Sequence, residues 1–140
     1  RYASNSIISE RALREIYLRG FGICIRESDP MAVMTSYNLL NGEHTSESRE
    51  LADVLFREVG FDGLIMTDWV VGGDTLLAKG SKYGTPDAAK VAASGCSLFM
   101  PGYKGDYDQI IRGLKNGTVS VQQLRENAGR IMHVLQRLGK

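Results

Sequence analysis

Residues 61–73 read FDGLIMTDWVVGG, and most of the fold prediction rests on this segment. An apolar run over residues 64–66 leads through Thr67 into Asp68, and Trp69, the only tryptophan of the chain, comes next. A short apolar run between glycines is typical of a strand that is buried on both faces of a parallel sheet. A carboxylate at the end of such a strand needs an explanation, because a buried charge without a partner is costly.

Two further apolar strands are predicted, at residues 31–38 (MAVMTSYN) and 96–102 (CSLFMPG), in addition to the strand at 63–68. The spacing of apolar residues, with Ser, Pro and Gly near the expected ends, predicts helices at residues 9–28, 45–61, 85–95, 107–115 and 120–138. In the first helix, the predicted packed face consists of Leu13, Ile16, Tyr17, Gly20 and Ile23 or Cys24. Strands that alternate with helices predict an α/β fold whose parallel strands are covered by helices.

Three parallel strands are few for an independent sheet, and two architectures fit them. One is a small doubly wound domain. The other is the C-terminal half of a (β/α)₈ barrel, since a whole barrel needs about 250 residues and the chain has 140.

The composition is that of an ordinary globular protein, with 43% hydrophobic and 24% charged residues and a net charge of +1. Its lysines and arginines are spread along the chain, and no apolar run is long enough to cross a bilayer, so neither nucleic acid nor a membrane is an expected partner. Cys24 and Cys96 stand in apolar surroundings and are predicted to be buried free thiols rather than a disulfide or a metal site. The first residue is not Met, and we expect the chain to be cut from a longer one.

Polar or special residues stand at the end of each predicted strand, at 36–38, 67–69 and 100–102. The carboxyl ends of parallel strands are where α/β proteins bind ligands. Asp68 alone is equally compatible with a capping or loop-fixing role. Trp69 beside it favours a ligand site, because an aromatic face can stack on a sugar while the carboxylate performs polar chemistry.

The other candidate residues have plausible structural roles. Tyr37 can be a core residue, Met34 is more typical of a core than of a ligand site, and the two histidines are expected to be structural. The acids Asp62, Asp74 and Asp87 are interpreted as loop or capping residues. The glycine-rich residues 72–86 lack the spacing of a phosphate-binding loop.

Several segments together resemble one known family. AVMTSYNLLNGEHTSES (residues 32–48) and LFREVGFDGLIMTDW (55–69) resemble the second half of the barrel domain of family 3 glycoside hydrolases, in the β-glucosidase-like group. SIISERALREIYLRGF (6–21), AASGCSLFMPG (92–102) and the closing segment at 116–139 resemble the same family in the same order. The resemblance covers residues 1–140 and implies a partial (β/α)₈ barrel.

The resemblance also implies a retaining glycoside hydrolase that removes terminal β-D-glycosyl residues from β-glucosides or oligosaccharides without a cofactor or metal. Asp68 matches the family nucleophile, which forms a covalent glycosyl-enzyme. Trp69 matches a tryptophan that borders the glycone pocket. Tyr37 matches a tyrosine that touches the nucleophile or the sugar at the same subsite, and Met34 matches a pocket-lining methionine. Arg1 falls where the arginine that closes an upstream binding segment would stand.

Two parts of the family's site are not found in this sequence. A Lys-His pair that binds sugar hydroxyls belongs upstream, and the acid/base carboxylate of the β-glucosidase group belongs to a downstream α/β sandwich domain. Glu43, Glu47 and Asp74 are not at positions that would replace that carboxylate. We therefore expect the chain alone to be inactive or nearly so, and to need its other barrel half, or a second copy of itself, to cover its sheet edges.

Alternative functions remain open at this point. The chain can be a non-catalytic carbohydrate-binding or scaffold barrel, although Asp68 and Trp69 argue against that. It can also be a β-xylosidase or β-N-acetylhexosaminidase of the same family. An aldolase or a phosphate-binding barrel enzyme is disfavoured, because no lysine lies in the predicted strands and Lys104 in MPGYKG is a weak phosphate signal.

Overall fold

The computed structural model describes residues 3–72 and 81–139, so that the predictions for Arg1 and Asp74 lie outside the described residues. The strands in the described part are β1 (Asn5–Ser6), β2 (Ala32–Met34), β3 (Leu39–Leu40), β4 (Glu43–His44) and β5 (Leu64–Met66). The α-helices there are α1 (Glu10–Ala12), α2 (Leu18–Ser28), α3 (Arg49–Asp53), α4 (Ala88–Ser94), α5 (Lys104–Asn116) and α6 (Val121–Leu138). None of these helices is both long and apolar enough to cross a membrane.

A parallel pair of strands forms the centre of the fold. β2 and β5 lie side by side, with Val33 opposite Ile65. A third parallel segment joins β5 through a bridge between Met66 and Leu98. Three parallel segments separated by helices confirm the predicted α/β arrangement.

The third predicted strand, at residues 96–102, is reduced to that single bridge. The amide of Met100 donates to the side-chain Oγ1 of Thr67 at 2.9 Å, not to a backbone carbonyl, so the ladder stops there. Pro101 follows and has no amide hydrogen to offer. The prediction was therefore right about the position and wrong about the length of the strand.

The predicted strand at residues 31–38 is also shorter than expected, because the chain leaves the sheet after Met34 and enters a second small sheet. β3 and β4 form a hairpin around Asn41 and Gly42, whose φ angles are 50° and 89°. Positive φ at both central residues is the geometry of a type I′ turn, for which Asn-Gly is favoured. β1 pairs in parallel with β3. The turn was predicted, but the small sheet was not.

Each of the first two predicted helices contains a π-helical segment. Leu13–Tyr17 lies between α1 and α2, and Val54–Val59 continues α3. A π-turn has wider hydrogen-bond spacing than an α-turn and rotates the residues that follow it. The buried residues of α2 are Gly22 and Ile25. The predicted face was right for Leu13, which is buried, and wrong for the other residues, which are exposed: Ile16, Tyr17, Gly20, Ile23 and Cys24.

Most helix starts and ends follow from local side chains. Ser9, Ser48, Asp87 and Ser120 each accept a backbone amide hydrogen bond at a helix start. Gly60 ends the second helix at φ 81°, a conformation that glycine adopts without a steric penalty. Because Ser48 caps the second helix, that helix begins at Arg49, four residues later than predicted.

The main core lies between the helices and the parallel strands. It contains Ile25, Ala52, Leu55, Phe61, Ile65, Val91 and Cys96. Each large aliphatic or aromatic side chain buried in this way contributes roughly 1.5–3 kcal/mol to folding. Burial also raises the pKa of the Cys96 thiol to about 12. The prediction that both cysteines are buried was right for Cys96 and wrong for Cys24, which is exposed on α2.

α6 is fastened to this core by polar groups. The buried amide of Asn127 donates to the carbonyls of Ala92 and Cys96 at 2.8 and 3.2 Å. At the opposite end of β5 from Asp68, His133 is 2.9 Å from Asp62. The last helix therefore holds the base of the central strand, and the contact of His133 agrees with the surface or packing role that the sequence predicted.

Candidate functional site

The candidate site lies where β2 and β5 end. Met34 is the last residue of β2 and stands opposite Met66 in the parallel register. Asp68 follows two residues beyond the end of β5. Tyr37, three residues beyond β2, reaches across and donates its hydroxyl hydrogen to the carbonyl of Trp69 at 2.6 Å. The structure thus brings together Met34, Tyr37, Asp68 and Trp69 at the carboxyl edge of the sheet.

Solvent reaches this edge freely. The side chains of Trp69 and Met34 are 59% and 53% exposed, and Asp68 is half-buried. The Trp69 amide donates to Oδ1 of Asp68 at 2.6 Å, and the other carboxylate oxygen makes no hydrogen bond within the described residues. A carboxylate fixed through one oxygen, beside an open aromatic face, can attack or deprotonate a ligand that stacks on the indole.

The residues before and after Asp68 are both hydrogen-bonded to Met100, through the side chain of Thr67 and the amide of Val70. The sequence analysis did not predict these contacts. Thr67 is fully buried, and its Oγ1 accepts from the Met100 amide. After the aspartate, the Val70 amide donates to the Met100 carbonyl at 3.0 Å. A threonine directly before the acid was the signal available for the first contact. No feature of the sequence marks a backbone carbonyl as the partner for the second.

Val70 has a left-handed backbone, with φ 59°. Its side chain is 7% exposed and that of Val71 is 4% exposed. The turn therefore sends both valines inward directly after the exposed Trp69. A valine gives no signal of this conformation in a sequence, because β-branched residues rarely adopt it.

The acidic and histidine residues of the β3–β4 hairpin and the segment after it have structural contacts. Oε1 of Glu47 accepts the Asp87 amide at 2.6 Å, in front of α4. Burial lowers the pKa of His44, the nearby Glu47 opposes that shift and Lys90 adds to it. The expectations that Glu47 does not replace the acid/base carboxylate and that His44 is structural stay predictions. Within residues 3–72 and 81–139, no three metal-binding side chains come together.

A cavity of about 330 Å³ adjoins the candidate site at Met34, but neither Asp68 nor Trp69 lines it. It lies between the helical residues 10–28, β2 and α3. Its walls are mostly apolar and include Leu13, Phe21, Val33, Leu51 and Leu55. Thr35 also lines it, and its buried Oγ1 has no hydrogen-bond partner among the described residues. This cavity therefore lies beside β2 and does not include the carboxylate of Asp68 or the indole of Trp69.

Comparison with known proteins gives consistent results. Residues 4–134 match the sequence model of the glycosyl hydrolase family 3 N terminal domain. β-Glucosidase B of Emericella nidulans is 39% identical over 99% of the chain and 15% of that protein. A β-glucosidase of Rhizobium radiobacter is 36% identical over 99% of the chain and 16% of that protein.

Solved structures agree with the sequence relatives. β-Glucosidase 3B from Thermotoga neapolitana, in a complex with α-D-glucose, has a TM-score of 0.79 and 35% identity, and the match covers 96% of this chain and 18% of that one. The likeness confirms that the three parallel segments are part of a (β/α)₈ barrel. The chain spans only about 15–18% of the length of these relatives.

Proposed function

The chain belongs to glycoside hydrolase family 3, and from that membership we propose that it carries the nucleophile and part of the sugar pocket of a retaining, β-glucosidase-like hydrolase. The observation that supports this most directly is the position of Asp68. It is half exposed at the carboxyl edge of the central parallel strand, with one oxygen anchored and an exposed tryptophan beside it.

In this proposal, the carboxylate of Asp68 attacks the anomeric carbon of a terminal β-D-glucosyl residue. The bond from that carbon to the aglycone oxygen breaks, and a bond to a carboxylate oxygen of Asp68 forms. An acid outside this chain protonates the leaving oxygen and later deprotonates the water that releases the sugar. Trp69 and Met34 border the sugar, and neither step requires a cofactor.

We further propose that the chain is the later part of a barrel within a longer polypeptide, referred to below as the complete polypeptide. An upstream half would supply the remaining strands, Arg1 would contribute to sugar binding, and a downstream sandwich domain would supply the acid/base carboxylate. The small share of the relatives' length that the chain spans supports this division. On this basis the isolated chain is inactive, because loss of a general acid alone costs roughly 10²–10⁴-fold in rate.

Covalent trapping tests the nucleophile. The complete polypeptide is incubated with a 2-deoxy-2-fluoro-glucosyl inactivator, digested and analysed by mass spectrometry. We expect the sugar's mass on the peptide that contains Asp68, and no label in the Asp68→Asn variant. Glu43→Gln serves as the matched control, because this exposed acid lies in the β3–β4 hairpin outside the proposed machinery and should label normally.

Two outcomes would contradict the proposal. A label on another carboxylate would remove the nucleophile role from Asp68. Binding of glucosides without any label would favour the carbohydrate-binding scaffold instead of the hydrolase.

A further inference from the structure

The turn after Asp68 has a backbone conformation that its residue type disfavours. Val70 lies in the left-handed region at φ 59°, where a β-branched side chain is an outlier. Such residues persist only where the surrounding structure holds them, and they are concentrated at functional sites. The turn therefore needs contacts that hold it.

The contacts that hold the turn come from both neighbouring parallel segments. The Val70 amide donates to the Met100 carbonyl at 3.0 Å, on the side of the third segment. On the side of β2, the Tyr37 hydroxyl donates to the Trp69 carbonyl at 2.6 Å. The peptide group between Trp69 and Val70 is thus hydrogen-bonded at both its oxygen and its nitrogen, and it cannot rotate without breaking one of these bonds.

This peptide group also fixes the groups that face solvent. The Trp69 amide, one peptide earlier, donates to Oδ1 of Asp68 at 2.6 Å. Val70 and Val71 are anchored inside the fold, at 7% and 4% exposure, while Trp69 is 59% exposed. A rotation at Val70 would therefore move both the carboxylate and the indole.

We infer that the clamped left-handed turn at Val70 aims the Asp68 carboxylate, and that Val70 and Tyr37 are positioning residues for the proposed reaction. The positioning role rests on the proposed function, whereas the conformation of the turn does not depend on it. Tyr37 is thereby also assigned a role through the backbone of the turn, in place of the direct contact with the nucleophile or the sugar that the family resemblance implied.

Thermal unfolding of the chain, at one concentration throughout, tests the conformation at residue 70. Val70→Ala and Val70→Gly both delete the buried side chain, but only alanine keeps a Cβ in the left-handed region. We expect the glycine variant to melt roughly 4 °C or more above the alanine variant. Val71 is the control, because it is equally buried and has no positive φ, so that Val71→Ala should melt above Val71→Gly. The same order at both positions would overturn the left-handed turn.

Steady-state kinetics of the complete polypeptide test the positioning role. Tyr37→Phe keeps the ring and removes the hydroxyl group that donates to the carbonyl of Trp69. We expect kcat to fall between roughly 10-fold and 100-fold, with KM changed less than about twofold, because a misaimed nucleophile slows the chemical step. Tyr17→Phe, at an exposed tyrosine on the first helical segment, should leave both parameters unchanged.

The remaining outcomes separate this inference from the proposed function. A rise in KM at constant kcat in Tyr37→Phe would overturn positioning and restore direct sugar binding. Unchanged kinetics would overturn it as well. Inactivity of the unsubstituted polypeptide would refute the proposed function, and the positioning role with it, whereas the melting order would still decide whether the turn exists.

Discussion

At the scale of single residues, the candidate site residues Asp68 and Trp69 are held through hydrogen bonds to backbone groups. Asp68 is held by the amide of the next residue, and that residue is held by a tyrosine from the adjacent segment. An aspartate whose partners are backbone amides remains a hydrogen-bond acceptor that is oriented but not neutralised by an opposite charge. This arrangement suits a nucleophile better than an ion pair would.

His44 should titrate below the usual pH of a histidine. Its pKa is lowered from 6.5, mainly because burial disfavours the charged ring. The unfolded chain therefore binds a proton at His44 more readily than the folded chain does. The stability that depends on a neutral His44 is fully present above pH 6.5 and is lost as the pH falls through the pKa of the folded state. An NMR titration of the two histidines should give a His44 midpoint below 6.5.

A matched variant separates His44 from the other titrating groups. His44→Gln should weaken the loss of stability between pH 7.5 and pH 5, measured by urea unfolding, relative to the unsubstituted chain. A His44 midpoint at or above 6.5 would contradict the burial argument.

The sequence predicted that Asp68, Trp69 and Tyr37 lie at the carboxyl edge of the sheet but not which contacts hold them, and their functional roles stay predictions. Asp68 and Trp69 stood out because a charge and an aromatic ring end an apolar strand. The clamp at Val70 and Met100 could not be predicted, because it consists of backbone groups whose pairing depends on tertiary structure. Arg1 keeps its assignment as a prediction, since it lies outside the described residues.

At the scale of elements, α4 and α5 pack with their backbones in close approach. A Cβ built on Gly113 would lie 2.3 Å from the Cβ of Ala89, whereas one on Gly129 of α6 would have no atom within 4 Å. Because a Cβ atom moves only with its backbone, two Cβ atoms at 2.3 Å could separate only if the helices moved apart. Gly113 is therefore a packing requirement of the α4–α5 pair.

Gly113→Ala should destabilise the fold by roughly 1–3 kcal/mol, because it overpacks this contact. Gly129→Ala is the matched control and should stabilise by roughly 0.5–1 kcal/mol, because alanine is the better helix former in open space. Denaturant unfolding of both variants measures the difference. Equal effects at the two positions would mean that α4 and α5 do not approach as described.

Helix ends were predictable where a capping side chain or a glycine stood at the boundary, as at Ser9 and Gly60. Which face of α2 is exposed could not be predicted, because the π-turn at Leu13–Tyr17 breaks the 3.6-residue spacing on which the prediction relied. The β3–β4 hairpin was recognised only at its Asn-Gly turn. Strands of two residues are too short to show any periodicity.

At the scale of the whole molecule, one side of the parallel sheet is incomplete. Among the described strands, β2 pairs only with β5, and the apolar cavity of about 330 Å³ lies beside β2. A preceding barrel strand would fill this space and pair with β2 in the arrangement proposed above. An unpaired strand edge beside apolar surface favours association.

We predict that the isolated chain self-associates through this side. Phe21 lines the cavity and is 49% exposed, so Phe21→Glu should shift the chain towards monomer in sedimentation velocity experiments. Met132→Glu, an exposed position on α6, is the control and should leave the distribution unchanged. A monomeric chain with one cooperative unfolding transition would contradict the prediction.

The position of the single tryptophan has an optical consequence. Because Trp69 is the only indole in the chain and stands half exposed beside the proposed nucleophile, the near-ultraviolet emission excited at the red edge of absorption comes from the site and from nowhere else. A sugar that covers the ring, or a neighbouring subunit that does so, would change the colour of that emission. The chain thus contains its own spectroscopic reporter, which needs no added dye.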